Sequence, residues 1–580
     1  MDTSRLKRFA QFARRSLIEQ VTSRLNLVLQ PESMARREYG EAIADLEKEI
    51  KASSKEQVID RVAYVWFNRF CALRFMDVNR YTKIGVLSPA EGQFQPEILA
   101  EAKMGHIDED LVADAVVRDR IFALLNGSSP SPDPQTEAYR SLIVSVCNHF
   151  YKAMPYLFDR IANYTELLMP DDLLSGNSIL AYTREAMTPN VCQDVEAIGW
   201  LYQFYISEKK DEVFDGLKKN RKITPENIPA ATQLFTPNWI VRYLVENSLG
   251  RLWMLNHPNS RLIEQMEYYI ALEQTETDFL RIAKPEDIKI CDPACGSGHM
   301  LVYAFDLLYA IYEEEGYEPA EIPEKILTLN LFGIEIDERA GELAAFALTM
   351  KARAKHRRFF NKGIKPNICV LENVSFADDD VQGYMDFVGR NLFTAPLLRT
   401  LHEFEESNNF GSLIRPTVTD MAGMVEVLRS KNVEGSLFFY RTHEKVLRVL
   451  RQADFLSSKY HVVIANPPYM GGNGMNNRMS AWVKDNYPDS KSDLFAMFIE
   501  RNLELAVKNG LVAMVTMQSW MFLSSFEKLR EKLIAKQDIA TLIQIGYNSF
   551  PDLNSKVVQA CAFVLVNSPH KNLGAYINLN

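Results

Sequence analysis

Asn466-Pro467-Pro468-Tyr469, set directly after the apolar run His461-Val462-Val463-Ile464-Ala465, has the composition of a strand that stops at a rigid polar lip. Two consecutive prolines remove two backbone donors, fix φ and push Asn466 out of the helical region, so this turn has one preferred shape. An asparagine amide oxygen and an outward-facing backbone carbonyl can together accept both hydrogens of a planar NH2 group. Tyr469 adds a flat face for a ring. The same four residues are equally compatible with an ordinary strand-ending turn, so the reading needs a second motif.

That motif lies upstream, where Ile288-Lys289-Ile290-Cys291 leads into Asp292-Pro293-Ala294-Cys295-Gly296-Ser297-Gly298-His299 and then an apolar helical run, Met300 to Tyr309. Strand, glycine turn and helix follow one another. Gly296 and Gly298 let the backbone approach a ligand closely, and the helix start presents free N–H groups. A second strand, Leu329 to Ile334, ends in Glu335, with Asp337 just beyond. An acidic side chain ending the second strand is where a nucleotide ribose presents its hydroxyls. The separation of Gly298 from Glu335 exceeds the roughly 20 residues of the dinucleotide fingerprint, which argues against NAD and for another nucleoside cofactor.

Taken together, these residues resemble the amino-group DNA methyltransferases that use S-adenosylmethionine. The order, cofactor motifs first and lip second, is similar to the gamma group of that family. Gln233-Leu234-Phe235-Thr236-Pro237 resembles the segment that closes over the methionine part of the cofactor, and Asn367 to Asn373 resembles the third strand. Leu511 to Met517, Ile539 to Ile545 and Gln559 to Val566 supply three further strands. Val62 to Phe70, Ile198 to Tyr205 and Ile228 to Thr232 narrow the likeness to the PglX methyltransferases of BREX phage-defence systems.

The resemblance implies a doubly wound, seven-stranded class I methyltransferase sheet and adenine N6 as the methylated atom, whereas the amine geometry by itself leaves cytosine N4 open. By its residue-by-residue implication, Asp292 faces the cofactor's methionine ammonium, Glu335 its ribose and Asn373 its adenine. Thr236 binds the carboxylate between Phe235 and Pro237, and Pro293, Ala294, Gly296, Gly298 and Ile336 complete the cofactor site. Thr236-Pro237 also reads as a helix N-cap followed by a first-turn proline. Asn466 and the Pro467 carbonyl hold the target amine, with Pro468 shaping the lip. Tyr469 and Phe550 stack a base flipped out of the duplex, and Asn466 itself also borders the cofactor. The expected partners are double-stranded DNA, other BREX proteins and phage-encoded inhibitors, with no membrane. Cytosine-C5 chemistry needs a cysteine nucleophile, usually after proline, and none of the seven cysteines follows one.

Bulk properties suit a large, cytoplasmic globular enzyme. Of 580 residues, 47% are apolar and 24% charged, and no apolar run reaches the roughly 18 residues of a membrane span. The cysteines show no paired metal-ligand spacing, so no metal is expected. A net charge of −10 puts any DNA grip on local patches. Lys7-Arg8 with Arg14-Arg15, Lys218 to Lys222, and Lys351 to Arg358 are candidates, each also readable as a solvated helix face.

The pattern predicts a helical region over 1–225, with a loop or linker near 126–136, then a catalytic domain over 226–580 carrying a helical insertion at about 376–458. A target-recognition region follows the catalytic domain in the resembling family and is absent here, so the chain is expected to be a piece of a longer one. Rival readings are a methyltransferase for a protein glutamine amide or RNA adenine, and a binding module that uses the cofactor as a switch. Pro170-Asp171 with Glu208-Lys209-Lys210 superficially resembles a nuclease signature, on a helical run where a strand is required.

Overall fold

The computed structural model describes residues 3–158, 164–271, 276–388, 394–418, 421–429, 437–547, 550, 559–569 and 572–579. They fall into two compact units, Met1–Glu208 with Thr349–Lys365, and Lys209–Leu348 with Pro366–Asn580. This division differs from a 225/226 boundary in two ways. The helix Glu196–Lys218 runs across the first border, and the C-terminal part of the helix Glu338–Lys355, from Thr349 on, belongs to the first unit.

The first unit is helical. Its long helices Ser4–Val28 and Lys55–Val78 pack together, and Leu6, Ala10, Ala13, Leu17, Val21 and Leu25 recur at helical spacing on the buried stripe of the former. Tyr64 and Phe67 meet Tyr205 edge-on and tilted, with ring centroids 5.1 and 4.5 Å apart. Two of the three segments of the narrower family likeness, 62–70 and 198–205, are thus packing partners in this core. The break at 126–133 joins the helices Ala115–Leu125 and Pro134–Phe150, which contact each other, so it is a loop inside one unit and not a linker between lobes. Asp133 caps the second helix by accepting the Thr136 N–H at 3.1 Å.

The second unit is built on one sheet. Its strands are β1 (Ile290–Asp292), β2 (Leu331–Glu335), β3 (Asn367–Val370), β4 (Tyr460–Ala465), β5 (Ala506–Met517), β6 (Asp538–Gly546), β7 (Ala560–Val566) and β8 (Ala575–Asn578). They lie in the order β3-β2-β1-β4-β5-β7-β6-β8. All neighbours are parallel except β7, which runs antiparallel between β5 and β6. The sheet therefore has an eighth strand beyond the expected seven. β8 adds parallel to β6 at the edge and stays largely exposed, which is why its sequence lacks the apolar run that reveals the others. β7, flanked on both sides, is buried at every position, as its unbroken Ala-Cys-Ala-Phe-Val-Leu-Val run requires. Between β3 and β4 the chain is helical, with helices Asp378–Val388, Thr394–Glu403 and Leu437–Ser457 among them.

Helices cover this sheet and fix its strand ends. Gly333 in β2 leaves space already filled: a Cβ there would lie 2.6 Å from Ile368 Cδ1 and 3.0 Å from Cys295 Sγ. Asn330, fully buried just before β2, donates to the Pro285 and Ile288 carbonyls at 2.8 and 2.7 Å and accepts the Tyr312 hydroxyl at 2.9 Å. One amide thus ties the entrance of β1 to that of β2. Asn330→Leu keeps the volume but strands the Ile288 carbonyl and the Tyr312 hydroxyl, each costing on the order of 1–3 kcal/mol when unsatisfied, while the Pro285 carbonyl keeps the Ile288 N–H at 3.1 Å. A loss of about 3 kcal/mol in urea-unfolding free energy is the expected outcome.

Candidate functional site

The carboxyl ends of β1, β2 and β4 open onto a cleft in the second unit with about 770 Å³ of empty space, its open mouth included. Its floor is Pro293, Ala294, Gly296, Glu335 and Ile336, one side carries Asn466 and Pro468, and Gln233 and Leu234 border it from the upstream segment.

Local backbone explains the floor. Gly296 has φ +53° and Gly298 φ +84°, both in the left-handed region that favours glycine. A Cβ on Gly298 would lie 3.0 Å from the Ala344 backbone, whereas one on Gly296 would meet nothing within 4 Å. Gly298 therefore serves helix packing, and Gly296 leaves its backbone facing open space. The Cys295 N–H donates to the Ile334 carbonyl at 3.0 Å, which locks the turn onto the end of β2.

Two carboxyls dominate the electrostatics. Asp292, 2% exposed, is pushed up to about 8, first by burial and then by the nearby Glu335, against the opposing N–H of Ala294 at 3.1 Å. Glu335 is pushed up to about 7 by burial and by Asp337, although it accepts N–H groups from Gly296 at 2.7 Å and from Ile336 and Asp337 at 2.9 Å each. Desolvation wins over these hydrogen bonds; Glu335 is the carboxyl that lines the cleft, whereas Asp292 is buried and is not among the lining residues, and a ligand that brings positive charge favours the ionised form of either.

At the lip, Asn466 Nδ2 donates to the Thr236 hydroxyl at 3.0 Å and sits 3.5 Å from the Leu234 carbonyl. The Tyr469 hydroxyl lies 3.0 Å from Asn466 Oδ1 and 3.1 Å from the Val515 carbonyl, with one proton for the two acceptors. Pro467 is buried. The Phe550 ring, 3% exposed, meets Tyr469 edge to face with centroids 6.5 Å apart. Its neighbours Asn548, Ser549 and Pro551 lie outside the described residues.

Several predicted residues stand elsewhere than the sequence suggests. Asn373 is exposed, does not line the cleft, and accepts the Asn408 backbone N–H at 2.8 Å. Thr236 turns to Asn466 and caps no helix: Pro237 is the N-cap of the helix Asn238–Val245, without a side-chain cap bond. Phe235 stacks on His299, with centroids 4.3 Å apart and 25° between planes. In the nuclease-like set, Asp171 pairs with Arg24 and Arg140, and Glu208 with Arg14 and Arg15, so the two acids serve separate ion pairs. Basic groups are also engaged: Lys222 donates to the Asn473 carbonyl at 2.8 Å, and Arg353 lies over Tyr81.

Other cleft residues were missed by sequence reasoning. The segment Asn409–Leu413, inside the helical insertion, forms a wall, and Met479, Leu494 and Phe498 line the cleft as well. Its only sequence signal is the polar, glycine-containing stretch Ser407-Asn408-Asn409-Phe410-Gly411-Ser412. Asp493 was also missed. It accepts the Met470 N–H at 3.0 Å and caps the helix Leu494–Leu505, holding the chain just beyond the lip; an acid before an apolar helical run is the signal for such a cap.

The matching families cover this ground. The Eco57I restriction-modification methylase family matches residues 329–550, and the MmeI DNA-methyltransferase domain matches residues 273–367. The adenine-specific methyltransferase BrxX of Escherichia coli O9:H4 (strain HS) is 39% identical over 556 residues, covering 90% of this chain and 45% of BrxX. The adenine-specific methyltransferase PglX of Lacticaseibacillus casei (strain Zhang) is 34% identical over 619 residues, covering 97% of this chain and 51% of PglX. The chain is a homologue of BrxX and PglX. It spans about half the length of each. Among solved structures, the Type IIL restriction-modification enzyme MmeI in complex with DNA aligns with 99% of this chain and 59% of its own, at a TM-score of 0.43 and 12% identity, too distant to carry an argument. Among the described residues, no helix is long and apolar enough to cross a membrane.

The raised carboxyls give a signed pH prediction. A folded-state value above the unfolded one means that the folded protein holds the proton more tightly, so this stability is present below about pH 4 and is lost as pH rises through 7 to 8. Asp292→Asn, neutral throughout, is expected to melt level with the wild type below about pH 4 and progressively above it up to pH 9. Thermal melts across that range check the sign.

Proposed function

We propose that this chain holds S-adenosylmethionine in the cleft and methylates adenine N6 in DNA, as the catalytic part of a BREX-type phage-defence enzyme. The observation that carries the reading is the fixed orientation of Asn466. Its amide nitrogen is engaged by Thr236 and Leu234, which leaves Oδ1 as the acceptor it offers at the edge of a cleft with a carboxyl-bearing floor. The names of BrxX and PglX support adenine as the base and BREX as the setting.

The residues fit the cofactor. Asp292 and Glu335, both raised by burial, are stabilised in their charged forms by a cation, and Gly296 gives a backbone surface with room in front of it. Asp292 is assigned to the amino-acid ammonium side and Glu335 to the ribose hydroxyls, with Pro293, Ala294 and Ile336 as contact surface. Bound there, S-adenosylmethionine supplies an electrophilic methyl group on a positive sulfur.

The chain's own part is orientation. The N6 lone pair of adenine is delocalised into the ring and is a poor nucleophile. Asn466 Oδ1 and the Pro467 carbonyl accept its two hydrogens, which localises the lone pair and stabilises the positive charge that develops on nitrogen. Tyr469 supplies the stacking face for a base extruded from the duplex, with Phe550 beside it. To free Oδ1 for the substrate, the Tyr469 hydroxyl donates its hydrogen bond to the Val515 carbonyl, already at 3.1 Å, and keeps its proton. Double-stranded DNA and other defence proteins are the proposed partners.

Nucleoside mass spectrometry of DNA from cells expressing the protein with its natural partners tests this. N6-methyladenine is expected with the wild type and reduced about 100-fold or more in Asn466→Ala, the scale of losing one preorganised charge-stabilising group. Calorimetric titration should show cofactor affinity retained in that variant and lost in Asp292→Ala. Undiminished methylation by Asn466→Ala refutes the mechanism.

A further inference from the structure

We infer that the nucleobase of the cofactor is held by the wall Asn409–Leu413, with Asn409 and Phe410 touching it, and that Asn373 is a positioning residue for that wall. The inference rests on the cofactor reading above and reassigns the base end of its site.

Placement comes first. Gly411, at φ +57°, brings the wall against Ile336: a Cβ on this glycine would lie 3.1 Å from Ile336 Cγ2. Ile336 directly follows Glu335, the residue assigned to the ribose. A nucleoside anchored through its ribose on Glu335 therefore has this wall as the neighbouring surface of the same cleft. Ser412 clamps the wall to the glycine turn by donating to the Pro293 carbonyl at 2.5 Å.

The wall also has the right chemistry. A purine needs a flat apolar face and donors or acceptors at its edge. Phe410 lines the cleft and is fixed from behind by Trp482, stacked at 4.4 Å and 15°, with the Arg478 guanidinium 5.5 Å from its ring. Asn409, 5% exposed, also lines the cleft, and its carbonyl accepts the Asn476 amide at 2.8 Å. That contact fixes which way round the Asn409 amide sits and leaves its NH2 as the group to offer a ring nitrogen. Asn476 is itself immobilised, because its carbonyl caps the helix Asn477–Asn486 through the Met479 N–H. Asn373, by contrast, spends its carbonyl on the Asn408 N–H, one residue before the wall's first ligand-facing side chain. It acts on the base through that segment.

Calorimetric titration of the full chain with S-adenosylhomocysteine and, separately, with adenosine tests the assignment. Asn409→Ala is expected to weaken both ligands by a similar factor of about ten or more, because both carry the base. Asn409→Asp, which keeps the carbonyl contact to Asn476 and removes the donor, should do the same, and thermal melts identify whichever variant is folded. Asp292→Asn should weaken S-adenosylhomocysteine and spare adenosine. Affinities within twofold of wild type in both folded Asn409 variants, or a loss confined to S-adenosylhomocysteine, overturn the inference while leaving the cofactor reading intact. A wild type that binds neither ligand overturns both.

Discussion

One carboxylate, Glu335, gathers three backbone N–H groups from two separate turns, and the site depends on that convergence. Gly296 belongs to the turn after β1, whereas Ile336 and Asp337 belong to the turn after β2. Parallel pairing makes the meeting possible: Asp292 sits opposite Gly333, so β2 runs on two residues further and carries its acid beneath the glycine turn. Gly333 has to lack a side chain because Ile368, Cys295 and Leu301 already fill that volume. Burial raises the carboxyl while the N–H groups favour its charge, and the balance leaves a group that a positively charged ligand can tip.

Much of this arrangement was legible because its causes are local. The apolar runs of β1, β2, β4, β5, β6 and β7 announce a buried parallel sheet, and two prolines after Asn466 announce a rigid strand end. Gly296 and Gly298 are forced by backbone conformation, which a sequence displays directly. β8 was not legible, since an exposed edge strand needs no apolar pattern. The border of the first unit was hidden for a related reason. The helix Glu338–Lys355 keeps its periodicity straight through residues 348 and 349, where the chain changes from one packing unit to the other.

The cleft wall shows where local reasoning stops. Asn409 and Phe410 sit in a segment with no motif of its own, and their placement is set by Trp482, Asn476 and Pro293, residues distant in sequence. Asn373 has the residue type and the strand-end position expected of a base ligand. Its carbonyl is nevertheless taken by the Asn408 backbone. Residue type and strand position named a candidate there; the hydrogen-bond partner is a tertiary fact that neither reveals.

Asn466 illustrates the opposite relation, in which tertiary structure sharpens what the sequence offers. An asparagine amide can sit either way round, and with the carbonyl turned away the lip presents donors and repels an amine. The Thr236 hydroxyl and the Leu234 carbonyl, contributed more than two hundred residues upstream, both stand on the nitrogen side. A carbonyl can only accept, so Leu234 admits just one orientation, and Thr236 adds a hydrogen bond in the same sense. The acceptor face of the lip is therefore set before any substrate arrives. On the proposed reading, the turn of the Tyr469 hydroxyl from Asn466 Oδ1 to the Val515 carbonyl is then the change left to make when a weak nucleophile arrives. The segment Gln233–Pro237 thus does two things at once: Gln233 and Leu234 border the cleft, and the Leu234 carbonyl with Thr236 orients the amide beside it.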